Sequence, residues 1–309
     1  MDGDIFETQN LTLRSRILKV PGLKLIEKIG DGGMSTVWKA WDISRQQIVA
    51  VKILNKECSG GEDVRAFREE ERIMEEIEHP GIVRAFDFDC GNGNWYLIME
   101  YVDGYNFGDL LKRKQHVIEY DCLLICQSVA AALDYAWNDH GIIHCDIKPE
   151  NIMVNSDGVV KLTDLGISRK FQFLEHPESV VSDHVTGTPA YISPEQVFGD
   201  VELDCRTDIY SLGAALYHLA TGRLLFPGAD NDAILREHVD AASQAPDPRM
   251  FAPDLPDGFA RMLEKMTVKD RELRYQDWEA VLEDSRLVQS GGVPPPPPPG
   301  AVSSVHLGA

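Results

Sequence analysis

One stretch, Ile142-Ile143-His144-Cys145-Asp146-Ile147-Lys148-Pro149-Glu150-Asn151-Ile152-Met153, constrains this chain more than any other. Apolar residues flank an acid, a base and an amide. The polar groups therefore sit on a loop pinned between buried segments, where their directions can be fixed. A carboxylate such as Asp146 can accept the proton of an attacking hydroxyl. Lys148 can neutralise charge on a transferring phosphoryl group, and Asn151 offers a hard oxygen that suits Mg²⁺. Taken singly, each of these residues also fits a solvated polar loop. Shortly after, Leu162-Thr163-Asp164-Leu165-Gly166 adds a second carboxylate followed by a glycine.

Upstream, Gly30-Asp31-Gly32-Gly33-Met34-Ser35-Thr36-Val37 lies between two β-rich runs and predicts a glycine-rich turn joining two strands. Missing side chains let backbone N–H groups approach phosphates closely, although many ordinary hairpins carry such a turn. Ile48 to Leu54 reads as an apolar strand interrupted by Lys52, and an isolated strand lysine commonly snorkels to water. Residues 64–78 read as a helix with Phe67, Ile73, Met74 and Ile77 on one face, stopped by His79-Pro80-Gly81. Residues 82–89 and 95–101 read as two further strands, with their turn at Gly91-Asn92-Gly93. Phe107 to Asp139 reads as two helices, and Arg206 opens an apolar helix running to about Thr221.

In this order, the motifs resemble those of eukaryotic-type (Hanks-type) Ser/Thr protein kinases, in their bacterial branch, over about Leu23 to Leu287. The resemblance implies an α+β, bilobal protein-kinase fold. Its β-rich N-lobe, with one main helix, would run to about residue 100, and its mostly helical C-lobe would start at about 104. The kinase domain would be 23–287, between an N-terminal extension, 1–22, and a tail, 288–309. The implied activity is transfer of the γ-phosphoryl group of ATP to a protein Ser or Thr hydroxyl, with Mg²⁺ as cofactor and Mn²⁺ as an alternative. Asp146, Lys148, Lys52, Glu70 and Thr188 would be catalytic, with Glu70 pairing Lys52 and Thr188 bonding both Asp146 and Lys148. Asn151 and Asp164 would hold the metal. Ile29, Gly30, Gly32, Gly33, Val37, Ala50, Lys52, Met99, Glu100, Val102 and Met153 would bind the nucleotide, with adenine meeting the backbone at Glu100 and Val102.

Further along, Thr186-Gly187-Thr188-Pro189-Ala190-Tyr191-Ile192-Ser193-Pro194-Glu195 resembles the substrate-docking loop of such kinases. Asp208 would anchor the backbone of the catalytic loop, and Arg274 would pair with Glu195. Two positions depart from the pattern. Ser35 stands where a third spaced glycine is usual, and Cys145 stands where most members carry Arg. The alternative is a pseudokinase, a nucleotide- or protein-binding module of the same fold; that reading expects one of Lys52, Asp146, Asn151 or Asp164 to be missing, and all four are present. A small-molecule kinase with related loops is disfavoured by Gly187-Thr188-Pro189.

Charge bears on partners. A net charge of −20 and a pI near 4.8 argue against nucleic acid, whose phosphates are held by basic stripes. The six cysteines form no C-x-x-C pair and read as reduced thiols. The acidic start shows no signal peptide and no apolar run reaches the length of a membrane span, so a cytoplasmic protein is expected. From Gln289 the composition turns to glycine and proline, with Pro294 to Pro299 unbroken. Six consecutive prolines suit neither helix nor strand. The segment reads as a disordered tail, dispensable for folding, or as a polyproline-II ligand for a partner with an aromatic groove.

Overall fold

A computed structural model describes residues 20–32, 35–54, 77–91, 94–114, 117, 119–164, 169–170, 188–200 and 202–307. They fall into two compact units, 20–54 with 85–101 and 77–84 with 102–307.

The first unit is an antiparallel sheet. Its strands are β1 (Leu23–Asp31), β2 (Ser35–Asp42), β3 (Gln47–Leu54), β4 (Ala85–Gly91) and β5 (Asn94–Glu100), in the spatial order β1-β2-β3-β5-β4. Strand alternation splits the side chains between two faces. Val49, Val51 and Ile53 of β3 point one way and form a core with Ala40, Tyr96, Ile98 and Val20. Ala50 and Lys52 point the other way. Register puts Val37 opposite Lys52 and Met99 opposite Ala50, so these four share the face turned from that core. β1 slips register between Leu25 and Glu27 and again between Lys28 and Gly30, which bends it towards the glycine-rich turn.

The second unit is mainly helical: α1 (Phe107–Lys114), α2 (Glu119–His140), α3 (Pro194–Phe198), α4 (Cys205–Thr221), α5 (Asn231–Val239), α6 (Asp257–Met266) and α7 (Trp278–Gln289). α4 is apolar on every side and buried along almost its whole length, as a central helix must be. Gly213 lets α6 cross it closely, since a Cβ there would lie 2.8 Å from that of Met266. Two small sheets complete the unit: β6 (Gly104–Asn106), β8 (Ile152–Asn155) and β9 (Val160–Leu162) in the order β6-β8-β9, and β7 (Ile142–Ile143) with β10 (Arg169–Lys170).

Several expectations meet their outcome here. The strand expected over 82–89 starts only at Ala85; Ile82 instead forms a lone bridge with Leu162 of β9, and the Val83 N–H donates to the Leu162 carbonyl at 2.8 Å. Most of the helix expected over 64–78 lies outside the described residues, and Ile77 and Glu78 are not helical. Residues 1–19 of the expected extension also lie outside them.

The disordered tail is corrected outright. After α7 the proline run leads back to the helical unit, with Pro294 buried. Residues 302–306 then pass between two loops and make an isolated β-bridge to each. Val305 bridges Ala245 in parallel, and Ser303 bridges Val268 antiparallel. The Ser304 N–H donates to the Thr267 carbonyl at 2.8 Å, and its carbonyl accepts from the Ala245 N–H at 2.6 Å. Ser304 and Val305 are at most 1% exposed. The proline run itself cannot make a strand, but it keeps the chain stiff up to the five-residue segment that makes the bridges.

Candidate functional site

The central loop of the helical unit is built by its two flanks. β7 ends at Ile143 and a single helical turn, Pro149–Asn151, closes the other side, so the polar residues between them are held over a short span. Asp146 is the hub. Its Oδ2 accepts from Lys148 Nζ at 2.6 Å and its Oδ1 from Thr188 Oγ1 at 2.8 Å and the Thr188 N–H at 3.1 Å. Lys148 Nζ also donates to Thr188 Oγ1 at 2.9 Å, which closes the ring Asp146–Lys148–Thr188. Asn151 Nδ2 donates to the Asp146 carbonyl at 2.8 Å and to its Oδ2 at 3.2 Å. The carboxylate is thus oriented from three sides by charge-assisted bonds.

The β8–β9 ladder brings Asn151 and Asp164 to the same end of the hairpin. Ile152 lies opposite Leu162, and the Thr163 N–H donates to the Asn151 carbonyl at 3.0 Å, one residue short of Asp164. Asp164 has φ 65°, a left-handed conformation uncommon for a residue with a Cβ. With Nδ2 committed to Asp146, Asn151 keeps Oδ1 as a hard oxygen donor. Among the described residues no cluster of three or more His, Cys, Asp or Glu could hold a metal ion. A Mg²⁺ here would complete its octahedron with water and phosphate oxygens, which is its usual habit, and Asn151 with Asp164 fit that role.

A second layer fixes the backbone of the loop. Asp208, in the first turn of α4, accepts the His144 N–H at Oδ2 (2.7 Å) and the Cys145 N–H at Oδ1 (2.8 Å). Burial pushes Asp208 up to about 6, against the pull of His144 and the two backbone N–H groups. The Cys145 carbonyl accepts from Gln196 Nε2 at 3.0 Å, so both sides of that residue are tied. His144 Nδ1 accepts the Asp146 N–H at 3.3 Å, which makes Nε2 the donor to the Thr163 carbonyl at 3.1 Å. One imidazole thereby joins the two carboxylate-bearing loops.

Thr188 opens the turn Pro189–Tyr191, and α3 follows with a capping box between Ser193 and Gln196. Glu195 and Arg274 form the buried pair expected from the sequence: Nη1 to Oε1 at 2.8 Å and Nη2 to Oε2 at 3.1 Å. Thr207 Oγ1 donates to Glu195 as well, and the remaining Arg274 donors reach the carbonyls of Arg206, Val268 and Lys269. Burial pushes Glu195 up, but the Arg274 charge and hydrogen bonds outweigh it and hold the carboxyl below its usual range.

The other candidate positions divide between the units. Val37, Ala50, Lys52 and Met99 share one face of the sheet, and Gly30 pairs with Val37 across β1 and β2. A Cβ on Gly30 would come within 3.2 Å of the Val37 Cβ, so glycine there permits a tight approach. The Gly32 N–H donates to the Ser35 carbonyl at 2.9 Å and starts the turn. Ile29 is 46% exposed at the end of β1, and Glu100 closes β5. Val102 and Met153 belong to the helical unit, Val102 buried and Met153 half-buried on β8. Gly33 and Glu70 lie outside the described residues. Sequence reasoning missed Gln196 and the Tyr191–His218 contact (Oη to Nδ1, 2.8 Å), because neither carries a local pattern.

The chain matches the family model described as "Protein kinase domain" over residues 23–285. It is 34% identical over 273 residues to a probable serine/threonine-protein kinase of Clostridium acetobutylicum, covering 87% of this chain and 40% of that protein. It is 36% identical over 283 residues to the probable serine/threonine-protein kinase PknB of Bifidobacterium longum, covering 88% and 40%. It is 32% identical over 264 residues to the serine/threonine-protein kinase PrkC of Bacillus subtilis, covering 84% and 39%. The chain therefore spans about 40% of the length of these relatives. No helix among the described residues is long and apolar enough to cross a membrane.

Proposed function

We propose that this chain, which belongs to the protein kinase domain family, transfers the γ-phosphoryl group of ATP to a serine or threonine hydroxyl of a protein. The observation that carries the reading is the closed ring of Asp146, Lys148 and Thr188 backed by Asn151. A carboxylate held this way is oriented before a substrate arrives, and orientation is most of what phosphoryl transfer requires of a protein. The acceptor hydroxyl donates its proton to Asp146 while its oxygen bonds to the γ-phosphorus. The bond from that phosphorus to the β–γ bridging oxygen breaks, and ADP leaves with that electron pair. Lys148 offsets charge on the transferring group. Asn151 and Asp164 would hold Mg²⁺, which would supply neutralisation of the phosphate charge.

In the same reading Lys52 holds the α- and β-phosphates with Glu70 as its partner. Gly30, Gly32 and Gly33 cover the phosphates. Ile29, Val37, Ala50, Met99 and Met153 enclose the adenine, which bonds the backbone at Glu100 and Val102. The free thiols of Cys90, Cys122, Cys126, Cys145 and Cys205 suit the cytoplasm, where ATP is supplied.

Asp146→Asn tests the proposal. The variant keeps the size of the side chain but loses the base, and its NH₂ must face Lys148 and Asn151 or Thr188, all donors, so phosphoryl transfer to a Ser/Thr peptide should fall by ~10²–10⁴-fold. Nucleotide affinity should be unchanged. Near-wild-type turnover in Asp146→Asn would overturn the reading.

A further inference from the structure

A buried hydrogen-bonded chain runs from the C-terminal segment to the turn that follows Thr188. Ser304 Oγ lies 2.8 Å from Tyr210 Oη, and Tyr210 Oη lies 2.8 Å from His238 Nδ1. Ser304, Tyr210 and His238 are each 0% exposed. His238 Nε2 is fully buried and makes no hydrogen bond. The helix that carries it, α5, packs against the Pro189–Tyr191 turn. The Ser304 hydroxyl, the Tyr210 hydroxyl and His238 Nδ1 therefore form one buried chain that ends on the helix behind that turn.

The turn is therefore fixed at three points. Asp146 holds Thr188, His218 holds Tyr191, and α5, the helix of His238, packs against Pro189–Tyr191. The first two anchors come from the catalytic loop and from α4. The third leads through Tyr210 to a segment 94 residues further along the chain, which is held in place by β-bridges to Ala245 and Val268. Phe226 packs edge-on against the His238 ring at 5.0 Å, so the imidazole has little room to swing.

We propose that Ser304, Tyr210 and His238 are positioning residues for the protein substrate: the docked 302–306 segment sets the Tyr210 hydroxyl, which sets His238, whose helix backs the Pro189–Tyr191 turn. This rests on the reading above that the turn after Thr188 receives the acceptor peptide. Its consequence is a division of effects. Removing the chain of hydrogen bonds changes how well peptide binds, while Asp146, Lys148 and the nucleotide residues keep their geometry and the chemical step keeps its rate.

The experiment uses the full chain and two single-atom-scale variants, Ser304→Ala and Tyr210→Phe. Each should raise the KM for a Ser/Thr peptide about fivefold to tenfold, the size expected for one buried hydrogen bond lost from a cooperative chain. kcat and the KM for ATP should stay within about twofold of wild type. Amide hydrogen exchange at Ala190, Tyr191 and Ile192 should quicken in both variants while α6 and α7 keep their protection. Unchanged peptide KM and unchanged exchange in Ser304→Ala and Tyr210→Phe would overturn the proposal. So would a joint loss of kcat, ATP affinity and protection throughout the helical unit, which would mark a merely structural role. If wild type transferred no phosphate, the kinase reading would have failed, and the exchange measurement would still decide whether Ser304 supports the turn.

Discussion

Asp208 accepts the backbone N–H of Cys145 at 2.8 Å and so holds a non-glycine residue at φ 66°. A left-handed conformation costs such a residue ~1–3 kcal/mol and persists only where neighbours enforce it. The second Asp208 oxygen accepts the His144 N–H, and Gln196 ties the Cys145 carbonyl. Asp208→Asn swaps one of two acceptor oxygens for an NH₂ that must face a backbone N–H. Losing a hydrogen bond to a buried charge is worth ~1.5–3 kcal/mol. Turnover in Asp208→Asn should therefore drop at least ~10-fold with a lowered thermal midpoint. Unchanged turnover would show that the loop needs no such clamp.

Glu195 and Arg274 should behave as a unit. Removing one partner leaves the other charged and buried, which typically costs ~3–5 kcal/mol. Arg274→Ala and Glu195→Ala should each show a loss of that order in urea unfolding. The double variant should lose less than the sum, because it strands no charge. Strict additivity would mean that the carbonyl contacts of Arg274, not the pair, carry the effect.

What the sequence made legible follows range. Asp146, Lys148 and Asn151 lie within six residues of one another, and their spacing alone put them on one loop. The ring to Thr188 and the pair Glu195–Arg274 came from matched motifs, since nothing local links residues 79 positions apart. A short apolar run was enough to place Lys52 on a strand, but its face emerged only from the register with β2 and β5. The last segment was misread because six prolines dominate its composition. Val302 to His306 has no strand alternation in its sequence, and its partners are the loops at Ala245 and Val268, which carry no periodic signal either. Buried histidines such as His238 were equally silent.

His238 predicts a pH dependence. Burial, then the nearby Lys269 cation, pushes it down to about 3, against the pull of the Pro189 and Ala190 carbonyls. The ring otherwise faces the Tyr210 hydroxyl and the Phe226 ring. Unfolded, a histidine titrates near 6.5. Between those values the unfolded chain binds a proton that the folded chain refuses, so stability rises with pH there and is lost as pH falls from about 6.5 towards 3. By pH 5 the loss should be ~2 kcal/mol. His238→Gln has nothing to titrate, so its urea midpoint should fall less than that of wild type between pH 7.5 and pH 5. Equal losses would show that His238 does not stay neutral in the folded protein.

Val305 tests whether the C-terminal segment belongs to the core. It is 1% exposed, and burying such a side chain contributes ~1.5–3 kcal/mol. Val305→Ala should lower the unfolding free energy by ~1–2.5 kcal/mol, cavity included. Val293, 53% exposed before the proline run, is the control, and Val293→Ala should stay within ~0.5 kcal/mol of wild type. Equal, small effects at both positions would return the segment to a dispensable tail.

Cys145 bears on how the activity proposed above is switched. In the family resemblance an arginine at this position meets a phosphate on the activation segment and orders it through charge-assisted bonds. Cysteine has no charge and is a poor donor. Here its side chain is 3% exposed, in a cluster with Ile143 and Leu203 and with Trp137 packed against it. Its backbone is already fixed by Asp208 and Gln196. Basal activity should therefore need no phosphate on Ser179, Ser182 or Thr186, which lie outside the described residues. Phosphatase-treated protein and the triple variant Ser179→Ala, Ser182→Ala, Thr186→Ala should both stay within ~10-fold of untreated enzyme on a peptide, a difference of ~1.4 kcal/mol. A drop of ~100-fold or more in both, ~2.7 kcal/mol, would require another cation to receive the phosphate and would overturn this reading of Cys145.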